Sequence, residues 1–564
     1  MGSSNKLFKH VGVYAFILLI GIIYYVLRPN MHNEGEDTLV YAFNVMGRGT
    51  GWVNPHHILF EYFHMVFYKL ALALGYAGKS LLIMQIVTIV TSVISFILMY
   101  EISKKLKFST FYSILCIGCT AFSFGIWAYG AEADTYLPPL ALALLAILFF
   151  INSFMQPNRR KTMILLGFVC GLATLMHQQY VLLVGIVGLS ILTGGVFIDR
   201  RDNFLKTFID AIIFGIAAAI TIGIGYFYIS FLVLEHQSIG ETISWARGLT
   251  KGGTWEALSW WKTPVMGTIA LARTFWGLLY VYAHPQLMEI LSSLLKGQNI
   301  LEETFAVRND ISLMLVYLLT FLSGIGTLAG AYLVFKLIFG WKNRLEIVSG
   351  EDSNRKLAFI HIALLYIFVF SFATLIWEAS NTEFWLHIVP VCFLLFFYLL
   401  QRLPAQKSFS IAASLLMGTL FITNLFGAIF VYTNNDNDYW AYANKGILET
   451  LKKGDVLLVA CGYTCDAHLK YHTEAKVLEL SMQEPEKTRI VIENAIYENA
   501  DRIFLSKWLI EPSEQYPYPS MQNTFISEFK MLHEKIKDDL VDVPFNINSV
   551  DPAWDVHEIW EYKR

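Results

Sequence analysis

Charged residues are scarce in this sequence. Asp, Glu, Lys and Arg together make up 15% of the 564 residues, whereas hydrophobic residues make up 55% and the mean hydropathy is +0.49. Soluble domains carry about a quarter charged residues, so this composition excludes an ordinary soluble protein. Apolar runs long enough to cross a lipid bilayer recur along the chain, and they predict a polytopic membrane protein.

Three further absences narrow the class. No Asn-x-Ser/Thr sequon occurs, which favours a bacterial envelope over a eukaryotic secretory membrane. No small-residue cleavage site follows the first apolar run, where Arg28-Pro29-Asn30 stands, so we predict an uncleaved first span. The C-terminal part lacks a Gly-rich phosphate-binding pattern, which argues against nucleotide binding.

The small net charge of -3 conceals a division of charge along the chain. Residues 433–564 include 23 acidic and 14 basic side chains, while the rest of the chain includes 22 acidic and 28 basic ones. A basic membrane part with an acidic soluble tail argues against nucleic acid as a partner. We therefore predict two domains, a transmembrane domain at 1–432 and a small soluble domain at 433–564.

The apolar runs predict about eleven transmembrane helices. Their approximate bounds are 11–27, 80–101, 108–127, 136–154, 162–176, 181–198, 208–233, 312–338, 357–377, 384–401 and 408–432. Two other stretches, 56–74 and 264–283, are interpreted as juxtamembrane helices. The basic loops around Lys104, Arg159 and Arg200 then lie in the cytoplasm with the N-terminus, and the tail lies outside.

The predicted fold class is an α-helical polytopic membrane protein with a small C-terminal α/β domain. In the tail, 454–460, 476–480 and 502–505 have the composition of buried strands, and 487–499 has that of a helix. Strands that alternate with helices indicate an α/β layer.

The six cysteines fall into two groups. Cys116, Cys119, Cys170 and Cys392 lie within predicted spans and are interpreted as packing residues. Cys461 and Cys465 lie in the predicted external tail, where a disulfide can form. With His468 and His472 they also form a string that suggests zinc, although one short helix cannot wrap four ligands around one ion.

Ionisable and amide side chains collect at span ends on the predicted outer face. They are Glu34, Glu36, Asp37 and Arg48 in the first loop, then Glu132, Asp134, His177, Gln178, Arg247, Arg273 and Glu383. Each of them, taken singly, is equally well explained as a solvated helix end or an interface anchor. Their collection on one face favours a functional site, since polar groups beside a membrane are costly.

The stretch 56–74 is predicted to be an amphipathic helix. His57, Glu61, His64 and Tyr68 recur at helical spacing on one side, opposite an apolar face. Such a helix lies in the membrane interface or lines a wet cavity more readily than it spans lipid. We expect it to roof a cavity beside the acids.

A carboxylate that faces such a cavity can take a proton from a hydroxyl group as that hydroxyl attacks a sugar carbon. One carboxylate suffices where the donor already carries a good leaving group, such as a lipid phosphate. Candidates for neutralising that phosphate are Arg48, Arg247, Lys251, Lys262 and Arg273, with His56 and His57.

This pattern resembles the GT-C glycosyltransferase superfamily, in particular protein O-mannosyltransferases and their bacterial polyprenyl-phosphate-sugar-dependent relatives. Asp37 in Gly35-Glu36-Asp37 matches the catalytic acidic motif of that family. Asn54-Pro55-His56-His57 resembles its His/Pro-rich segment, and 131–136 resembles its Glu-containing motif at the fourth span. The segment 171–179 resembles the one that ends in His after the fifth span, and the likeness covers about 10–430.

The resemblance implies a polyprenyl-phosphate-linked sugar donor, transfer with inversion, and a protein, glycan or lipid acceptor. It makes Asp37 the general base, with Glu36, Glu132 and Asp134 tuning that base or orienting the acceptor. His177, Gln178 and Glu383 are candidates for substrate binding. Some family members need a divalent metal such as Mg or Mn and others do not, and the sequence leaves this open. The expected location is a bacterial inner membrane.

A transporter or a lipid flippase is the alternative from another class. Such a protein needs polar groups near the middle of the bilayer and broken helices. Pro138-Pro139 and Pro390 are candidate breaks, which keeps this alternative open. Against it, the ionisable residues lie at span ends on one face.

Overall fold

The computed structural model describes residues 2–32, 35, 37–47, 53–156, 159–198, 204–248, 259–288, 301–339, 353–403, 407–480, 500–509, 534, 537–543, 554 and 556–563. The chain forms two compact units. Unit 1 comprises Met1–Arg28, Arg48–Tyr280 and Met314–Phe430, and unit 2 comprises Pro29–Gly47, Val281–Leu313 and Val431–Arg564. Unit 1 is helical, and unit 2 contains the sheet.

The helices follow one another closely along the chain. The first twelve are α1 (Gly2–Val26), α2 (Thr38–Val45), α3 (Phe60–Ala73), α4 (Ser80–Lys105), α5 (Thr110–Ala121), α6 (Phe124–Ala131), α7 (Leu137–Ser153), α8 (Arg160–Met176), α9 (Val181–Phe197), α10 (Phe204–Phe227), α11 (Ile239–Arg247) and α12 (Lys262–Phe275). Next come α13 (Leu301–Val307), α14 (Leu313–Phe339), α15 (Ser353–Trp377), α16 (Val389–Leu400), α17 (Lys407–Asn424), α18 (Phe430–Thr433), α19 (Tyr439–Ala443), α20 (Lys445–Thr450) and α21 (Gly462–His472). Short 3-10 turns at Gln178–Tyr180, Leu278–Ala283 and Glu383–Ile388 and π-helical turns at Tyr228–Val233 and Leu425–Ile429 join some of them.

Each predicted span falls on helical structure, although α1 begins at Gly2, well before its predicted start at 11, and the span at 108–127 is divided. In the described parts of the chain, six helices are long and apolar enough to cross a membrane, or seven if one bent pair counts as a single span. Further apolar helices, such as Leu137–Ser153, are shorter. The chain is an integral membrane protein, and the count of eleven spans stays a prediction.

The bent pair corrects the predicted span at 108–127. Helices α5 and α6 meet at an angle of 68° near Phe122 and Ser123, and α6 continues to Ala131. The break frees the Phe122 carbonyl, which accepts a hydrogen bond of 2.7 Å from the Asn424 side chain. A buried amide thus satisfies the backbone group that the helix leaves unpaired, as a membrane interior requires.

Helix α3 also differs from its prediction. It begins at Phe60, so His57 lies before the helix and not on its polar stripe. His64 on that stripe is fully buried, and its Nδ1 lies 2.9 Å from the Phe60 carbonyl oxygen. Val66 and Leu70 on the apolar face are exposed instead. The polar face therefore packs inward while the apolar face looks outward, a pattern suited to contact with lipid.

Unit 2 contains a five-stranded mixed sheet. Its strands are β1 (Val456–Val459), β2 (Lys476–Glu479), β3 (Ile503–Ser506), β4 (Leu540–Asp542) and β5 (Ile559–Tyr562), in the order β2-β1-β3-β5-β4. The first three are parallel, and β5 is antiparallel to both β3 and β4. The three predicted strands and the α/β class are confirmed, β4 and β5 were not predicted, and the predicted helix at 487–499 lies outside the described residues.

Three separate chain segments share the core of unit 2. Phe305 of α13 packs on the rings of Tyr439 and Trp554, and Arg308 donates a hydrogen bond of 2.9 Å to the Asp436 carbonyl. Asn30 makes a backbone hydrogen bond of 2.8 Å to Tyr432. The predicted boundary between 432 and 433 stays a prediction, and residues near the start of the chain belong to the same compact unit as the tail.

Candidate functional site

Asp37 stands at the N-terminal boundary of α2 in unit 2. An Asp at this position commonly caps the helix, but here its side chain makes no capping hydrogen bond. Its carboxylate instead accepts two phenol hydroxyls, from Tyr41 on Oδ2 at 2.7 Å and from Tyr463 on Oδ1 at 2.5 Å. Tyr41 is one helical turn away and buried, whereas Tyr463 comes from α21 in the tail and is 38% exposed. Both oxygens of the predicted base are therefore held in place.

Tyr463 lies between the two cysteines of a disulfide. Cys461 and Cys465 are bonded, with their Cα atoms 5.6 Å apart. Both are buried, and Cys465 lies 3.7 Å from the Asn444 amide. Asn444 in turn contacts buried His557 at 3.0 Å, so the bridge is packed into a polar cluster inside unit 2.

The two cysteines converge with His557, and not with the His468 and His472 of the predicted zinc motif. In the described residues, Cys461, Cys465 and His557 are the His/Cys/Asp/Glu group that converges within 4.8 Å, and His468 and His472 are not in it. The disulfide removes the thiolates that zinc would need. Sulfur and imidazole are also poor ligands for Mg or Mn, which prefer carboxylate oxygens. These residues do not fit the divalent metal that the family resemblance leaves open.

In unit 1, the predicted His/Pro-rich segment contacts the turn after α8. The Gln178 backbone N–H donates to the His56 carbonyl at 2.5 Å, and its side chain donates to the Ala246 carbonyl at 3.0 Å. The His57 ring stacks beside the His177 ring, with centroids 6.0 Å apart. His56, His57, His177 and Gln178 are therefore brought together, and their place on the outer face stays a prediction.

Burial changes what these imidazoles can do. Burial, and then the charge of His56, lowers the pKa of His57 to about 3. Burial also lowers the pKa of His56. Both rings are therefore uncharged near neutral pH, which opposes their predicted role in neutralising a phosphate by charge. They remain available as hydrogen-bonding groups.

Tyr136 and His387 extend this cluster and were not among the predicted site residues. The Tyr136 ring lies 5.2 Å from that of His177 and 5.7 Å from that of His387. His387 contacts the Gln179 side chain and the Tyr180 hydroxyl, each at 2.8 Å. A histidine inside an apolar run is costly, and that signal was available for His387 in the sequence.

Two carboxylates of unit 1 lie in the short link between α6 and α7. Glu132 and Asp134 are 4% and 2% exposed, although they had been expected on an outer loop. Glu132 accepts the Ala133 backbone N–H at 2.9 Å and lies 3.4 Å from the Gln85 amide. Asp134 accepts the Thr135 backbone N–H at 2.5 Å. The short link between α6 and α7 thus turns both acids inward.

Of the other predicted residues, the structure describes Glu383, Arg247 and Arg273. Glu383 accepts a hydrogen bond of 2.9 Å from the Asn381 amide. It also forms a hydrogen bond with Tyr136, so it belongs to the cluster. Arg247 ends α11 next to Ala246, and Arg273 lies in the last turn of α12. Glu34, Glu36 and Arg48 lie outside the described residues.

The helical architecture with its small C-terminal sheet is shared with solved structures. One solved structure with this fold is ArnT from Cupriavidus metallidurans, bound to undecaprenyl phosphate. It superposes with a TM-score of 0.55 over 99% of this chain and 98% of that one, at 9% identity. The two chains thus share their overall fold.

Two other solved structures are less similar. The Archaeoglobus fulgidus oligosaccharyltransferase, tethered to an acceptor peptide, gives a TM-score of 0.49 at 12% identity and covers 89% of this chain and 69% of that one. The mycobacterial arabinofuranosyltransferase AftD gives 0.43 at 14% identity and covers 98% of this chain and 42% of that one. No family model matches the sequence, and no curated protein matches it significantly.

Proposed function

We propose that this protein is an inverting glycosyltransferase that uses a polyprenyl-phosphate-linked sugar on the extracytoplasmic face of a bacterial inner membrane. The observation that carries the proposal is Asp37, a carboxylate placed shortly after the first apolar helix of a GT-C fold and held through both oxygens. Undecaprenyl phosphate bound to ArnT supports a lipid phosphate as the donor's leaving group. A transferase is favoured over a transporter because the fold is that of membrane glycosyltransferases.

In the proposed reaction, Asp37 accepts the proton of an acceptor hydroxyl. The hydroxyl oxygen forms a bond to the anomeric carbon of the donor sugar, and the bond from that carbon to the phosphate oxygen breaks. The polyprenyl phosphate leaves with the electron pair, so no acid is required to protonate it. The acceptor is a protein, a glycan or a lipid.

The other predicted residues keep substrate-binding roles in this proposal. Arg247 and Arg273 carry the permanent charge that suits a phosphate. Substrate binding through hydrogen bonds from uncharged side chains is proposed for His56, His57, His177 and Gln178. We propose acceptor orientation for Glu132, Asp134 and Glu383, phosphate binding for Arg48, and tuning of the base for Glu36.

Replacing Asp37 tests the proposal. Asp37→Asn keeps size and hydrogen bonding but removes proton acceptance, so transfer should fall about a hundredfold to ten-thousandfold. The assay uses purified protein in nanodiscs, a panel of radiolabelled undecaprenyl-phosphate sugars, and the envelope fraction of a strain lacking the gene as acceptor. Donor binding should be retained.

Glu34→Gln is the matched control, because Glu34 shares the loop without matching the acidic motif, and its effect should be mild. Near-normal turnover in Asp37→Asn would contradict the role of Asp37. Wild-type protein that moves labelled lipid across a vesicle membrane without transferring its sugar would instead support the transporter.

A further inference from the structure

We propose that Tyr463 of the tail is a positioning residue for Asp37, so that unit 2 contributes to catalysis through the orientation of the base. This inference rests on the proposed function. It assigns a role to the tail that the sequence did not predict, because the two residues are 426 positions apart.

The two hydrogen bonds leave Asp37 able to accept a proton from a substrate. A carboxylate offers about four lone-pair sites, two on each oxygen. Tyr41 occupies one site on Oδ2 and Tyr463 one on Oδ1, so each oxygen retains a site for an acceptor hydroxyl. Two donors on opposite oxygens prevent rotation of the carboxylate plane. A fixed base keeps its lone pair aligned with the proton that it must take.

The backbone next to Tyr463 is fixed by a disulfide, a glycine turn and a buried carboxylate. The disulfide between Cys461 and Cys465 closes the first turn of α21 around it. Gly462, directly before Tyr463, has φ +80°, a conformation that a residue with a Cβ rarely adopts. Buried Glu479 at the end of β2 accepts the backbone N–H groups of Cys461 and Gly462, at 3.3 and 3.2 Å.

This fixed backbone explains why a partly exposed side chain can act as a positioning group. A tyrosine that is 38% exposed would ordinarily sample several rotamers. Here the backbone on both sides is fixed by the disulfide, the glycine turn and the Glu479 carboxylate. The phenol hydroxyl therefore remains within hydrogen-bond distance of Asp37.

The test compares Tyr463→Phe with Tyr471→Phe in the full-length protein. Both changes remove one hydroxyl from α21, but only Tyr463 bonds Asp37. We expect Tyr463→Phe to lower kcat about tenfold to a hundredfold, the effect of losing a hydrogen bond to a charged group, with an unchanged KM for the undecaprenyl-phosphate sugar. Tyr471 is buried, so Tyr471→Phe is expected to act on stability, and the kcat of the folded protein should stay within about twofold of the wild type.

The split between kcat and KM, measured together with the melting temperature, separates positioning from a general loss of structure. Lost alignment of the base should lower kcat in Tyr463→Phe at an unchanged KM and an unchanged melting temperature, whereas a structural fault should lower the melting temperature as well. Normal kcat in Tyr463→Phe would overturn the inference. If Asp37→Asn is inactive in the same assay, the proposed function survives that result.

The double variant Cys461→Ser, Cys465→Ser tests whether the disulfide holds Tyr463 in place. It should lower kcat in the same direction as Tyr463→Phe. Combining the two changes should give little further loss, because both act on one contact. Fully multiplicative losses would show that the disulfide does not act through Tyr463.

Discussion

Asp37 and the histidines of unit 1 show how differently burial and hydrogen bonding act on single side chains. Asp37 keeps partial exposure and two phenol partners. His57 is buried beside His56 and His177, so its pKa falls to about 3. The first residue suits proton acceptance from a substrate, and the second suits neutral hydrogen bonding.

The low pKa of His57 predicts how donor binding depends on pH. An imidazole with a pKa of about 3 carries no charge between pH 5.5 and 8, and the pKa of His56 is lowered as well. The phosphodiester of a lipid-linked sugar does not titrate in this range either. We therefore expect the ratio of the donor Kd values of His57→Gln and the wild type to vary by less than about threefold from pH 5.5 to 8.

Isothermal titration or scintillation proximity in nanodiscs would measure this. If a charged histidine bound the phosphate, affinity would fall about tenfold as the pH rises through the ordinary histidine range near 6.5. His57→Gln is the matched control, since glutamine keeps a neutral donor and acceptor, and its profile should run parallel to that of the wild type.

At the scale of elements, α8 and α10 approach closely through two glycines. A Cβ at Gly167 would meet the Phe214 carbonyl oxygen and would lie 2.8 Å from the Ala217 Cβ. A Cβ at Gly171 would lie 2.6 Å from that of Thr221. Small residues four apart allow membrane helices to pack backbone against backbone.

This packing predicts that Gly167→Ala destabilises unit 1. The backbone of α10 cannot rotate aside as a side chain can, so we expect a loss of about 1–3 kcal/mol. A fall in melting temperature in detergent would report it. Gly185→Ala on α9 is the control, because nothing lies within 4 Å of the added Cβ. An unchanged melting temperature for Gly167→Ala would show that the helices separate at no cost.

For the molecule as a whole, the basic loops predict its orientation in the membrane. An odd number of spans, with the basic loops inside, exports the tail. A single cysteine introduced at exposed Asp538 should react with an impermeant maleimide in spheroplasts. A cysteine at Lys105, which ends α4 beside a predicted cytoplasmic loop, should react only after lysis. The reverse pattern would overturn the topology.

The division of the molecule also gives the tail a second role. Residues 29–47 belong to unit 2 together with the C-terminal sheet, so the predicted base and the tail form one compact body. A tail that took no part in the reaction would not need to share a compact unit with Asp37. We therefore expect the tail to be required for turnover.

The sequence by itself determined the membrane class, the approximate positions of the helices and the first three strands. Each depends on composition or on local periodicity, which neighbours along the chain establish. For the same reason Tyr41, one helical turn from Asp37, lay within reach of sequence analysis. The grouping of His57, His177 and Gln178 followed from their shared place at span ends.

Only the tertiary structure decided which distant groups meet. The Tyr463 hydroxyl on Asp37, the His387 ring beside Tyr136 and the inward turn of Glu132 and Asp134 depend on packing between segments far apart in sequence. The break between α5 and α6 depends on an amide from Asn424, about 300 residues away. Local patterns carry no information about such contacts, because the free energy that selects them arises only when the folded chain excludes water from both partners.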